Sequence, residues 1–127
     1  MKTDATRGQL DLLLLAVLTA GPAHGYAIIA ALRDRSGGTF DLPEGSVYPA
    51  LHRLEREGLV ASTWDRDTGR RRRVYALTET GMVAGQERAA HWHRFARGIG
   101  AVLAWGVGPD REPRPGSPAK LNWEAAR

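Results

Sequence analysis

The segment Glu44–Leu77 constrains the fold more than any other part of the chain. It reads EGSVYPALHRLEREGLV, then ASTWDRDTG, then RRRRVYAL. In the first piece Val47, Ala50, Leu51 and Leu54 recur at helical spacing, and Gly58 ends the run. Val60–Trp64 and Arg72–Leu77 change to a period of two, which predicts two strands with one face buried and one in water. Between them Asp65-Arg66-Asp67-Thr68-Gly69 supplies turn formers with alternating charge, so an exposed tip joins the strands. A short amphipathic helix must therefore lead directly into a β-hairpin loaded with arginine.

The remaining elements are helical. Residues 1–7 are polar and predict a flexible N-terminus. From Gln9 onward Leu10, Leu13, Leu14, Val17 and Leu18 form a helical stripe that Gly21-Pro22 stops. Leu12 and Leu15 lie off that stripe, and a helix apolar on two sides leaves room for a neighbour from another subunit. A second helix runs from about Ala23-His24 to Arg35, with Tyr26, Ile29 and Leu32 on one side and Ile28 beside them, until Ser36-Gly37-Gly38 ends it. Phe40 and Leu42 alternate with polar neighbours, giving room for a very short strand. The third helix begins between Pro43 and Ser46, with Ser46 as N-cap and Pro49 in the first turn. A fourth opens at Thr78 and reaches about Trp105. Along it Met82, Gly85, Ala89, Trp92, Ala96, Ile99 and Leu103 repeat as a heptad seam. A seam that long fits pairing with its own copy across a twofold axis; packing on the first helix is the alternative. Gly85, Gly98 and Gly100 weaken this helix. The last stretch, 106–127, is rich in Pro, Gly and charge, with almost nothing to bury, and predicts a disordered tail. The expected fold is mostly α with a small β-hairpin (α+β): a winged helix-turn-helix DNA-binding domain over 8–78 and a dimerisation helix over 79–105.

Composition narrows the function. A chain of 127 residues with 43% apolar content supports one domain and a small core. Net charge is +4, from 18 Lys+Arg against 14 Asp+Glu, and Lys2 and Lys120 are the only lysines. Arginine offers a planar fork of donors suited to phosphate and to guanine edges. A genome rich in G and C explains the overall arginine bias, but not the unbroken run Arg70–Arg73. The absence of cysteine excludes disulfides, thiolate zinc sites and cysteine nucleophiles. The longest apolar stretch, Leu12–Leu18, is far below the ~20 residues that cross a bilayer, and no small-residue cleavage site follows it, so a cytoplasmic protein without membrane contact is expected. No glycine-rich phosphate loop and no nucleophile motif is present, which argues against an enzyme. His91 and His93 stand two apart on a helix and point in different directions, so no metal site, and no cofactor, is expected.

Two clusters carry the chemistry. Tyr48, Pro49, His52 and Arg53, with Arg56, lie opposite the buried stripe of the third helix, and Ser46 sits at its N-terminus. As a recognition face they would meet bases and phosphate; an ordinary solvated face is the alternative. Arg66, Arg70, Arg71, Arg72 and Arg73 form a wing suited to phosphate contacts, with Arg70 placed to enter a minor groove. Alternation puts Arg71 and Arg73 on one strand face and Arg70 and Arg72 on the other, so some must pair with nearby acids. Tyr26 adds a backbone contact, whereas His24 either does the same or makes a local hydrogen bond. Trp92 is a knob of the dimer seam or the wall of an effector slot, and Trp64 and Trp105 read as packing residues. The competing function is a winged-helix protein-interaction module without DNA binding, which the basic wing disfavours; a ligand-binding protein with vestigial DNA binding is a third reading.

Three stretches in order, GPAHGYAI at 21–28, SGGTFDLPEGSVYPALHRLEREGLV at 36–60 and TGRRRRVYALTETG at 68–81, make the chain resemble the PadR family of bacterial transcriptional regulators over roughly Gln9–Trp105. The resemblance implies a homodimer of winged helix-turn-helix domains on a pseudo-palindromic double-stranded operator, usually as a repressor, in the smaller build with one C-terminal helix. It also implies an interface between the first and last helices, here Leu12, Leu15, Ala89, Trp92, Ala96 and Ile99. Several members bind a planar aromatic effector there beside a tryptophan, whose matching residue is Trp92. The glycine-rich final helix and Pro-rich tail depart from the family pattern.

Overall fold

The computed structural model describes residues 4–65 and 71–106. The predicted hairpin tip, with Arg66 and Arg70, and the predicted tail lie outside them. In chain order the elements are α1 (Asp4–Leu18), β1 (Ala23–His24), α2 (Gly25–Arg35), α3 (Glu44–Arg56), β2 (Val60–Asp65), β3 (Arg72–Leu77) and α4 (Glu79–Gly106). The strands make one antiparallel sheet in the order β1-β3-β2. This is a winged helix-turn-helix, mostly α with a small sheet. The described residues form two compact units that divide between Ala89 and Ala90, within α4. No helix among them is long and apolar enough to cross a membrane.

The core of the first unit is built from Leu14, Leu15 and Leu18 of α1, Ile28 and Leu32 of α2, Val47, Leu51 and Leu54 of α3, and Val60 and Tyr75 of the sheet. Each such side chain contributes roughly 1.5–3 kcal/mol when fully buried. Together they hold α1, α2 and α3 on the sheet. The stripe Val47–Ala50–Leu51–Leu54 is buried as its spacing requires.

Several boundaries differ from the sequence reading. α1 begins at Asp4, ahead of the apolar pattern. The very short strand is Ala23–His24, paired with Tyr75 and Val74 of β3; Phe40 and Leu42 are not in a strand. β3 is the central strand and needs a partner on each edge, and the residues just before α2 are the ones brought beside it. α3 begins at Glu44, with Pro43 as N-cap and no side-chain cap. Ser46 is therefore not the cap: it lies in the first turn, its N–H donating to the Pro43 carbonyl at 3.0 Å. Pro49 falls beyond the first turn, inside the helix. Its missing N–H deprives the Gly45 carbonyl of a partner, but Gly45 is exposed and water can reach it. Leu15, placed by its spacing at a subunit interface, is 1% exposed and belongs to the core. A helix apolar on two sides here has two neighbours within its own chain.

Thr78 caps α4 as its sequence position predicts. Its hydroxyl accepts from the Gly81 N–H at 2.9 Å and donates to the Gly58 carbonyl at 2.7 Å, while its N–H donates to the Leu59 carbonyl at 3.1 Å. Gly81 lies so close to Leu59 that a Cβ there would overlap the Leu59 carbonyl oxygen. At Gly85 a Cβ would stand 3.5 Å from Leu15 Cβ. The first turns of α4 thus pack on the winged unit, which continues past Thr78.

Candidate nucleic-acid interface

α3 presents Pro49, His52 and Arg56 on one exposed stripe, at the three-and-four spacing of a helix face. Tyr48 does not belong to that stripe. It is half-buried, and its phenol lies against Gly25 so closely that a Cβ at Gly25 would overlap the ring. Glycine at the start of α2 is what lets α3 approach. Burial, with the Glu44 carboxylate nearby, pushes the Tyr48 hydroxyl above its usual pKa.

Arg53 was expected on the recognition face, and the structure turns it inward. Its Nη2 donates to Oδ1 of Asp11, a buried acid on α1, and its Nε lies 3.9 Å from Glu57 Oε2. The Arg53 side chain is only 19% exposed. An acid inside the LDLLLL run of α1 must be compensated; Arg53 bonds it directly, and the Arg88 charge also acts on it. Burial raises the Asp11 carboxyl above its usual pKa even though the Arg53 charge lowers it.

The hairpin has two chemically different faces. On one, the register pairs Ser62 with Tyr75 and Trp64 with Arg73. Exposure along this face rises from buried Val60 and Tyr75, through half-buried Ser62 and Arg73, to exposed Trp64 and Arg71. Arg73 Nε donates to Ser62 Oγ at 2.8 Å, and that hydroxyl donates to Glu55 Oε2 of α3 at 2.7 Å. Arg73 Nη2 lies 3.8 Å from the same carboxylate oxygen. The guanidinium carbons of Arg71 and Arg73 stand 4.6 and 5.1 Å from the centre of the Trp64 ring. Trp64 was expected to be a packing residue; at 48% exposed, with guanidiniums on its ring, it is a platform instead.

On the other face Arg72 Nη1 approaches His24 Nε2 at 3.2 Å, while His24 Nδ1 faces the Ala27 N–H at 3.4 Å as the N-cap of α2. A neutral imidazole has one lone pair, so it accepts from Ala27 or from Arg72 but not from both at once. Of the two readings of His24, the local structural one describes what it does here. Tyr26, in the first turn of α2, is 65% exposed, and Ser46 is half-buried.

In the second unit Trp92, Phe95, Ile99, Val102 and Leu103 are each more than a third exposed and share one side of α4. Trp92 and Phe95 are 5.9 Å apart, ring centre to ring centre. Ala96 on the same side is half-buried, as are Ala89 and Leu12 in the first unit. The apolar stripe is wider than the heptad seam, which omitted Phe95 and Val102. Trp105, read as packing, is 43% exposed.

Sequence reasoning did not single out Asp11, Glu55, Ser62 or the platform role of Trp64. Only Asp11 carried a signal, as the lone charge within Leu10–Leu18.

The family model for the PadR-like family of transcriptional regulators matches residues 14–87. A crystal structure of a PadR family transcriptional regulator from Eggerthella lenta is 35% identical with a TM-score of 0.67, over 79% of this chain and 86% of that one. A transcriptional regulator from Clostridium thermocellum is 27% identical with a TM-score of 0.69, over 78% and 97%. The transcriptional regulator YqjI of Escherichia coli is 32% identical over 101 residues, 76% of this chain but 47% of that protein, so the chain spans about half its length. Matched across the winged unit by the family model and over most of its length by a family structure, the chain belongs to the PadR-like family, one of transcriptional regulators and not of enzymes.

Proposed function

We propose that this chain is a cytoplasmic, dimeric repressor that binds a pseudo-palindromic DNA operator and is released by a small planar aromatic ligand. The observation that carries DNA binding is the Glu55–Ser62–Arg73 bridge, which ties the exposed stripe of α3 to the arginine-bearing hairpin within one unit. In this reading α3 enters the major groove. His52 and Arg56 face guanine acceptors, and Pro49 supplies an apolar contact. Tyr26, Ser46 and the wing arginines Arg66, Arg70, Arg71 and Arg72 hold phosphates and fix register without reading sequence, while Arg73 braces the hairpin on α3. Tyr48, half-buried with its phenol against Gly25, stands beside the reading stripe, and Arg53 is withdrawn from the reading set because it serves Asp11.

The dimer is supported by the apolar side of α4, whose Trp92, Phe95, Ile99 and Val102 stand in water in a single chain. Self-association through residues 79–105 would pair two winged units, and a pseudo-palindromic operator would need their α3 helices about one DNA turn, ~34 Å, apart. A flat ring between two Trp92 side chains would alter the angle between subunits and so the spacing of the reading helices. Quenching of tryptophan fluorescence by planar aromatics, lost in Trp92→Ala, is the expected result; quenching that survives the substitution removes Trp92 from the ligand site.

Selection of duplexes from a random pool tests the central reading. A recovered site with twofold symmetry supports it, and failure to enrich any sequence overturns it. On the recovered site, His52→Ala is expected to cost ~1–3 kcal/mol at particular base pairs and to leave the salt dependence unchanged. A uniform loss over all sequences would move His52 to the phosphate-contact class.

A further inference from the structure

We propose that Trp64 is a positioning residue of the DNA interface: its ring holds Arg71 in place for a phosphate, while Arg73 serves as a brace. This rests on the reading of the chain as a DNA-binding protein.

Trp64 lies where it buries little, on β2 at the exposed end of a face that begins at buried Val60. Packing does not account for an indole there. Its contacts do: the guanidinium carbons of Arg71 and Arg73 both lie close over the ring. The two arginines are otherwise unlike. Arg73 directs Nε to Ser62 and Nη2 toward Glu55, so its donors and its charge are largely committed to the bridge with α3. Arg71 is exposed and forms no ion pair among the described residues. Contact with a π face engages the flat of a guanidinium and leaves the in-plane N–H fork free. Among the described residues Arg71 is therefore held against the ring with no carboxylate and no hydrogen-bond acceptor as partner. An arginine already confined by a ring gives up less rotamer freedom when it meets a phosphate, a saving equivalent to roughly three- to tenfold in affinity. Trp64 acts through Arg71 and needs no contact of its own with DNA.

The test is a double-mutant cycle on the full chain. Affinity for a duplex recovered from the random pool, and for an unrelated duplex, is measured at several salt concentrations. Trp64→Ala is expected to weaken both by about three- to tenfold and to leave the slope of log affinity against log salt unchanged, because no charge is lost. Trp64→Phe, which keeps an aromatic face, is expected to restore most of the loss. Arg71→Ala is expected to weaken binding and flatten the slope by ~0.9. In the Arg71→Ala background, adding Trp64→Ala is expected to cost nothing further. An undiminished Trp64→Ala penalty in that background, or Trp64→Phe as weak as Trp64→Ala, overturns the assignment while DNA binding by the parent stands. A parent chain that binds no duplex removes both this inference and the function beneath it. Urea midpoints of all variants separate loss of binding from loss of fold.

Discussion

Gly81→Ala is expected to destabilise the protein by about 1–2 kcal/mol net, although alanine is the better helix former. Two effects oppose each other. Helix propensity alone favours alanine by up to ~1 kcal/mol within α4. Against this, a Cβ at Gly81 would overlap the Leu59 carbonyl oxygen, a backbone atom that cannot rotate away. Relief requires the first turn of α4 to lift from the winged unit. The Thr78 hydrogen bonds to Gly81, Gly58 and Leu59 would stretch with it. Overpacking of this kind typically costs 1–3 kcal/mol, so sterics win. Gly98 and Gly100 provide the contrast, because a Cβ at either meets nothing within 4 Å. Gly98→Ala and Gly100→Ala are expected to leave stability equal or raise it by up to ~1 kcal/mol. Urea unfolding followed by circular dichroism, at fixed protomer concentration, reads all three. A Gly81→Ala protein as stable as its parent would show that α4 does not depend on this close approach.

The second large effect is expected at Asp11. Asp11→Ala leaves Arg53 as a largely buried cation whose Nε already lacks a hydrogen-bond partner. Breaking a buried pair from one side costs about 3–5 kcal/mol; with Arg53 still 19% exposed, the lower end is expected. Replacing both members by apolar residues of similar length, as in Asp11→Leu with Arg53→Met, is expected to return stability to within ~1 kcal/mol of the parent. The titration of Asp11 points the same way. Burial raises its carboxyl above 3.8 in spite of Arg53, so the folded protein takes up this proton more readily than the unfolded chain. This group's contribution to stability therefore falls as pH rises from about 3.8 through the raised value. The ionised pair is tolerated rather than strongly stabilising. The double variant also tests the placement of Arg53: it should keep the base preferences of the parent, and altered preferences would return Arg53 to the reading set.

Much of the architecture was legible in the chain because it depends on neighbours in sequence. The apolar stripe of α3, the capping of α4 by Thr78, the change from helical to strand period after Gly58 and the split of the wing arginines between two faces all follow from local periodicity and local hydrogen bonding. The short strand was misplaced because two residues carry no period; Ala23–His24 becomes a strand only because β3 has an edge to fill. Leu15 was assigned to a partner because its spacing tells that a neighbour exists, but not which one.

What sequence alone determined is the order of the four helices and the two hairpin strands, and that a helix with a solvent-facing side precedes an arginine-rich hairpin. Tertiary structure alone decided which of those polar side chains remain available. Arg53 is claimed by Asp11 on α1, Arg73 by Ser62 and Glu55, and Tyr48 by the backbone at Gly25, whereas His52, Arg56 and Arg71 stay exposed. The physical reason is reach. An exposed and a committed arginine have the same local pattern, and they part only when packing brings a carboxylate, a hydroxyl or a ring from elsewhere in the chain to within a few ångströms.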